Sequence, residues 1–171
     1  SEVTIDEESE ITAARAAYDE LSAEDQQKVS NSDCLVAAER MLSLLQEVAG
    51  KRTVTVRNHD EFTSAVNDSG VGTIITQGTI EFDEGGLFDD GDREIYVRHD
   101  VVVRGTGELK YCRFHVENGA TLVLADSVYV NDTRSQGSMY DALNPVEVNA
   151  GGTLITQDTV SLRNEYGQGG S

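Results

Sequence analysis

Phe114-His-Val-Glu-Asn-Gly-Ala-Thr-Leu-Val-Leu-Ala-Asp-Ser-Val-Tyr-Val-Asn-Asp132 and Val146-Glu-Val-Asn-Ala-Gly-Gly-Thr-Leu-Ile-Thr-Gln-Asp-Thr-Val-Ser-Leu-Arg-Asn164 align without a gap at an offset of 32. Six positions are identical: Val116/Val148, Gly119/Gly151, Thr121/Thr153, Leu122/Leu154, Asp126/Asp158 and Val128/Val160. A weaker echo relates Thr73-Ile-Ile-Thr-Gln-Gly-Thr79 to Thr153-Leu-Ile-Thr-Gln-Asp-Thr159. Self-similarity at a fixed spacing marks repeated structural units. Inside them, apolar residues alternate only briefly, as in Leu122 and Leu124, then Val128 and Val130, and upstream in Ile95 and Val97, then Val101 and Val103. Period two is the strand signal. A sandwich would need longer strands and hairpin turns, so short strands joined by Asn-Gly or Asp-Ser corners predict a parallel β-helix with coils about 4.8 Å apart. Asn118-Gly119 alone would read as a hairpin turn, but its counterpart Ala150-Gly151-Gly152 does not, which favours a repeated corner at positive φ.

A repeating stack must hide its first open edge from other chains. His59-Asp-Glu-Phe-Thr-Ser-Ala-Val66 supplies the means: Phe62, Ala65 and Val66 form a helical apolar face behind the strand Thr53-Val-Thr-Val56, and Asp60 is placed to cap it. A capping helix over 59–67 is predicted. The other end, Tyr166-Gly-Gln-Gly-Gly-Ser171, resembles no cap and reads as a chain truncated before further rungs.

Upstream, the texture changes. Glycines cluster between Gly70 and Gly170, whereas the first 50 residues contain only Gly50 and are rich in Ala, Glu, Leu and Gln. A boundary near Gly50 therefore divides a small α-helical module (1–50) from the start of a parallel β-helix (51–171). Ile11, Ala14, Tyr18 and Leu21 mark a helix over 8–21, with acidic residues at its start where the dipole favours them. Ser22 is placed to cap a short second helix through Asp25, and a third begins at Ser32 or Asp33. Its stripe is Leu35, Ala38, Leu42, Leu45 and Ala49, with Gly50 at the position of a left-handed C-terminal cap. The expected fold class is thus mainly β: a parallel β-helix solenoid with an N-terminal helical hairpin or three-helix module.

Charge bounds the partners. The 171 residues carry 13 Lys+Arg against 31 Asp+Glu, a net charge of −18. Nucleic acid and anionic membranes draw affinity from clustered cations, so neither is expected as a partner. No run of about 18 apolar residues occurs, so no membrane insertion is expected. Ser1-Glu-Val-Thr-Ile-Asp-Glu-Glu8 is acidic where a signal peptide begins basic, so an export signal is expected to have been removed or to lie outside this chain.

Two resemblances emerge. Ala14-Arg-Ala-Ala-Tyr-Asp-Glu-Leu21, Gln26-Gln-Lys-Val29 and Leu35-Val-Ala-Ala-Glu39 resemble short helical modules of large Gram-positive bacterial surface proteins. The order of strand, short helix, Ile74-Ile75, Thr79-Ile-Glu-Phe82 and glycine-punctuated rungs resembles the start of right-handed parallel β-helices of the pectate-lyase-like superfamily. Val116-Glu-Asn-Gly-Ala-Thr-Leu-Val-Leu124 is similar to rungs of such proteins on bacterial surfaces. The resemblance implies an extracellular setting, at the cell surface or cell wall, and specifies fold better than activity.

Several residue groups are candidate sites. Glu81, Asp83, Glu84, Asp89, Asp90 and Asp92 form the densest acidic patch, and hard oxygen ligands on a Gly-containing loop are what calcium takes. Asp83, Asp89, Asp90 and Asp92 are the calcium candidates; the competing reading is a solvated loop. Arg93, Arg98, Arg104 and Arg113 lie on successive short segments, where they would line a face for a carboxylate ligand or neutralise acidic neighbours. Tyr96, Tyr111, Tyr129 and Tyr140, with His115, alternate with inward residues and offer stacking faces for sugars, or serve strand propensity alone. The ligand-contact candidates are Tyr96, Tyr111, Tyr129, Arg98 and Arg104. Cys34 and Cys112 would pair only across closely packed modules, and otherwise remain thiols. No nucleophile motif, phosphate loop or histidine metal spacing occurs.

The reading that follows is a noncatalytic adhesion, carbohydrate-binding or stalk module of a secreted bacterial surface protein, with an extracellular glycan or host surface protein as partner. The alternative is a polysaccharide lyase or glycoside hydrolase, motivated by the fold resemblance, the acidic loop and the arginine series.

Overall fold

The computed structural model describes residues 5–82, 93–131, 144–157 and 159–163. The chain divides into two compact units, Ser1–Gly50 and Lys51–Ser171.

In the first unit a short 3-10 turn over Ile5–Glu7 leads into α1 (Glu8–Asp19), α2 (Ala23–Gln26) and α3 (Ser32–Ala49). Ser22 caps α2 by accepting the Asp25 N–H at 3.2 Å, and its hydroxyl donates to the Asp25 carboxylate at 2.7 Å. Arg15 on α1 donates to both carboxylate oxygens of Glu39 on α3, at 2.5 and 2.6 Å. The buried residues of α3 are Met41, Leu42, Leu44 and Val48, so only Leu42 of the expected stripe is fully buried. One residue turns a helix by about 100°, so shifting the stripe by one position re-aims the whole face. Gly50 does not adopt the left-handed conformation expected of it; its φ is −82° and its N–H bonds to Val48 O.

The second unit begins with β1 (Arg52–Val56) and α4 (His59–Asn67). The N-cap is Asn58 rather than Asp60: its side chain accepts the Glu61 N–H at 2.9 Å, and Glu61 reaches back to the Arg57 N–H at 2.8 Å. This reciprocal pairing satisfies two amide donors at the helix start. Eleven strands follow among the described residues: β2 (Val71–Thr76), β3 (Thr79–Glu81), β4 (Glu94–Val97), β5 (Val101–Gly105), β6 (Glu108–Lys110), β7 (Arg113–Val116), β8 (Thr121–Leu124), β9 (Tyr129–Asn131), β10 (Val146–Val148), β11 (Thr153–Thr156) and β12 (Ser161–Arg163). They form three sheets of order β1-β2-β5-β8-β11, β10-β7-β4 and β12-β9-β6-β3, in which every pairing is parallel.

The 32-residue offset is a physical register. Phe114 pairs with Val146, Leu122 with Leu154 and Val130 with Leu162. Gly119 and Gly151 turn the chain at matching corners with φ of 79° and 84°, a conformation costly for residues with a Cβ. Because side chains alternate across a strand, Ile80, Leu109, Phe114, Leu122, Val128 and Val130 all turn inward and are essentially inaccessible to water. Phe62, Ala65 and Val66 of α4 join the same core, with the Phe62 ring edge-on to Phe82 and Phe114 at 5.7 and 6.1 Å.

The expected fold class is corrected by these proportions. Helix and strand account for 34% and 35% of the described residues, so the chain is an α/β protein with three parallel sheets and four helices, not a mainly-β right-handed β-helix solenoid. Period-two patterning in residues 51–171 outweighed the helical segments in the sequence reading. The strands are too short, at three to six residues, to dominate the chain.

The two equivalent leucines of the repeat should behave differently. Leu122 is wholly buried and Leu154 half-buried, so Leu122→Ala should cost about 2–5 kcal/mol in urea unfolding and Leu154→Ala no more than about half of that.

Candidate functional site

The outer face of the three-stranded sheet gathers the densest set of interacting polar and aromatic side chains among the described residues. On β4, Ile95 and Val97 point inward, which turns Glu94 and Tyr96 outward; on β7, Phe114 and Val116 point inward and turn Arg113 and His115 outward. Parallel pairing then sets Glu94 beside Arg113, and Tyr96, His115 and Glu147 in one row across the sheet.

The rows are knitted together. The Tyr96 and His115 rings stack with centroids 4.9 Å apart and planes 16° from parallel. His115 Nε2 is hydrogen-bonded to Glu94, and its Nδ1 lies 3.4 Å from Glu147 Oε2. Arg113 donates to that same Glu147 carboxylate. Behind Glu94, the buried Arg93 guanidinium stands 3.6 Å from its other oxygen. The Arg98 guanidinium lies 5.1 Å from the Tyr96 ring centre, within cation–π range. Between this face and α4 opens a cleft of about 150 Å³ lined by Thr63, Val66, Asn67, Glu94, Ile95, Tyr96 and Arg98. Thr63 Oγ1 is buried there with no hydrogen-bond partner among the described residues.

Of the five ligand-contact candidates, Tyr96 and Arg98 meet at this cleft and the structure sets the other three apart, while Arg113 and His115, singled out beside them in the sequence, lie on the same face. Arg104, on the five-stranded sheet, makes a two-pronged pair with Asp126, both bonds at 3.0 Å. Tyr129 lies on the four-stranded sheet between Glu108 and Ser161. Tyr111 follows β6 at a φ of 61°, with Lys110 Nζ 5.6 Å from its ring. Asp83, Asp89, Asp90 and Asp92 lie outside the described residues, as does Tyr140. Among the described residues no three His, Cys, Asp or Glu side chains are arranged to hold a metal ion. Cys34 is exposed and Cys112 buried, its thiol directed to Leu109 O at 3.7 Å, and no disulfide joins them. No helix among the described residues is long and apolar enough to cross a membrane.

The sequence reading missed Glu94, Glu147 and Thr63. A signal existed for Glu147: at the 32-residue offset it falls beside His115. Glu94 and His115 are 21 residues apart, a spacing that nothing in the repeat announces.

Asp126 shows how such pairs act on stability. Hydrogen bonding from Arg104, then the charge of the same guanidinium and the Gly105 N–H, holds its carboxyl below the ordinary Asp value of 3.8, against the opposing effect of burial. A depressed folded-state pKa gives stability that is present above the unfolded-state pKa and is lost as pH falls through the folded one. Asp126→Asn keeps a residue that tolerates the φ of 60° while removing the charge. Its deficit against the parent should be full near neutrality and shrink as the pH drops below 3.8, as read from urea midpoints across pH.

No protein-family model matches the chain, and the curated proteins and solved structures likewise hold no match to it.

Proposed function

We propose that the chain is a noncatalytic carbohydrate-contacting module of an extracellular, cell-surface or wall-attached protein. Its contact face is the outer side of β4, β7 and β10. The observation that carries this reading is Tyr96. The residue is 40% exposed, yet its ring is held by stacking on His115 and by the Arg98 guanidinium 5.1 Å from its centre. A sugar ring presents C–H groups on one face and hydroxyls around its rim, so it takes a preset aromatic surface with hydrogen-bonding groups beside it. Glu94 supplies such a group in the adjoining cleft.

The cleft volume favours binding over turnover. At about 150 Å³ it is well below the 300–1,000 Å³ of pockets that enclose a small-molecule ligand, so it takes the rim of a sugar lying on the surface. The ionisable groups of the face are also engaged with one another, Glu94 with His115 and Glu147 with Arg113, which holds the face in one arrangement. The net charge of −18 adds support, because such a surface stays soluble and disperses among wall polymers.

Retention on immobilised plant, pectic and host glycans tests this reading. Tyr96→Ala should weaken retention by about tenfold, or about 1.4 kcal/mol, and His115→Ala by less, whereas Arg104→Ala on another sheet should match the parent. No retention on any glycan, retention indifferent to Tyr96→Ala, or shortening of a glycan chain seen by mass spectrometry would overturn it.

A further inference from the structure

We propose that His99 is a protonation-dependent clasp that holds the end of α4 against the β4–β5 turn and thereby sets the cleft beside Tyr96. The clasp stands on its own geometry; its effect on glycan contact rests on the reading above.

His99 lies half-buried in the turn between β4 and β5. Both of its ring nitrogens meet backbone carbonyl oxygens: Nδ1 is 3.1 Å from Asp100 O, and Nε2 is 3.0 Å from Val66 O in the last turn of α4. A carbonyl oxygen can only accept, so each nitrogen must donate to make its bond. The imidazolium has two N–H groups and makes both. The neutral ring has one, and its other nitrogen then turns a lone pair toward an oxygen. Histidine is the side chain that changes charge between about pH 5 and 8, so the grip is whole in mild acid and halved in mild base.

The helix gives Val66 O no substitute donor. A further helical turn would bring it the Gly70 N–H, but that amide goes to the Asp68 carboxylate at 2.8 Å. The Asp68 N–H bonds to Ala65 O instead. A cation at this position also meets the negative end of the helix dipole.

Of the charges around the ring, Asp68 favours the imidazolium. The Gly70 N–H first, then Arg52 of β1 and the His99 charge, hold the Asp68 carboxyl below the ordinary Asp value of 3.8, so it is anionic throughout this range. On the turn itself, Asp100 sends its carboxylate to the Thr121 N–H of β8 at 2.7 Å, and Arg98 sets its guanidinium against Tyr96. Both are thus engaged away from the ring nitrogens.

The clasp reaches the cleft through its neighbours. Val66, whose carbonyl is gripped, and Asn67 line the cleft from α4; Tyr96 and Arg98, the residue before His99, line it from the sheet. Loss of either ring bond loosens the join between these two walls.

Urea unfolding of the parent and of His99→Gln across pH tests the clasp without any glycan. His59 and His115 are common to both proteins, so the difference between them isolates His99. A ring held more firmly when charged lends stability that is present in acid and lost as pH rises. The parent should exceed the variant by about tenfold in folding constant near pH 5.5, and by about threefold or less near pH 8.5. Heteronuclear NMR of the parent should show both His99 ring N–H protons at about pH 5.5 and one at about pH 8.5. Retention on immobilised glycans should weaken between the same two pH values by about threefold more in the parent than in His99→Gln. A stability difference that is constant or grows with pH, or a single ring proton in acid, overturns the clasp. Retention that changes equally in both proteins overturns its link to the cleft, whereas no retention at either pH overturns the glycan reading and leaves the clasp to the first two measurements.

Discussion

From β2 onward, parallel hydrogen bonding between each strand and the one three places on is the constraint from which the second unit follows. It fixes the register, and the register decides what every side chain meets. Ile95 lies on Phe114 and Phe114 on Val146; Val101 lies on Leu122 and Leu122 on Leu154. A slip of one residue would exchange the inner and outer rows, driving His115 and Arg113 into the core and Phe114 into water. The interior and the polar face are thus two consequences of one alignment.

That alignment also explains where the cations go in so acidic a chain. Arg15 is spent on Glu39, Arg104 on Asp126, Lys110 on Glu81 and Arg113 on Glu147. The last three pairs each join neighbouring rows of a sheet, fastening side chains whose spacing the backbone has already set. Exposed pairs of this kind add little stability singly, and their main effect is to hold conformation. Around His115 the effect is concentrated: two carboxylates and two aromatic rings are held in one plane of contacts.

The sequence was most legible where a pattern carried its own geometry. The offset between Leu122 and Leu154 names two residues that pair, and Ser22 three residues before Asp25 names a cap. Phe62, Ala65 and Val66 share a helical face because their spacing allows nothing else to bury all three. Legibility failed where two positions compete on nearly equal terms. Asn58 rather than Asp60 caps α4, and Gly50 has the freedom to turn left-handed without being required to. The fold class failed for a related reason: alternation recognises strands but does not weigh them against helices. Of the candidate site, Tyr96 and Arg98 were readable as an exposed aromatic and an exposed cation two residues apart. Their union with Glu94 was not, because a 21-residue separation belongs to no period in the sequence.

The position of α4 early in the second unit bears on the order in which that unit is made. Strands that pair lie between 19 and 32 residues apart, and the helix that covers one side of the core precedes nearly all of them. During synthesis, Phe62 and its neighbours emerge before the strands they shelter. Each later strand then finds its partner already present, one circuit behind it on the chain. The side that α4 covers is therefore assembled while later strands are still being translated.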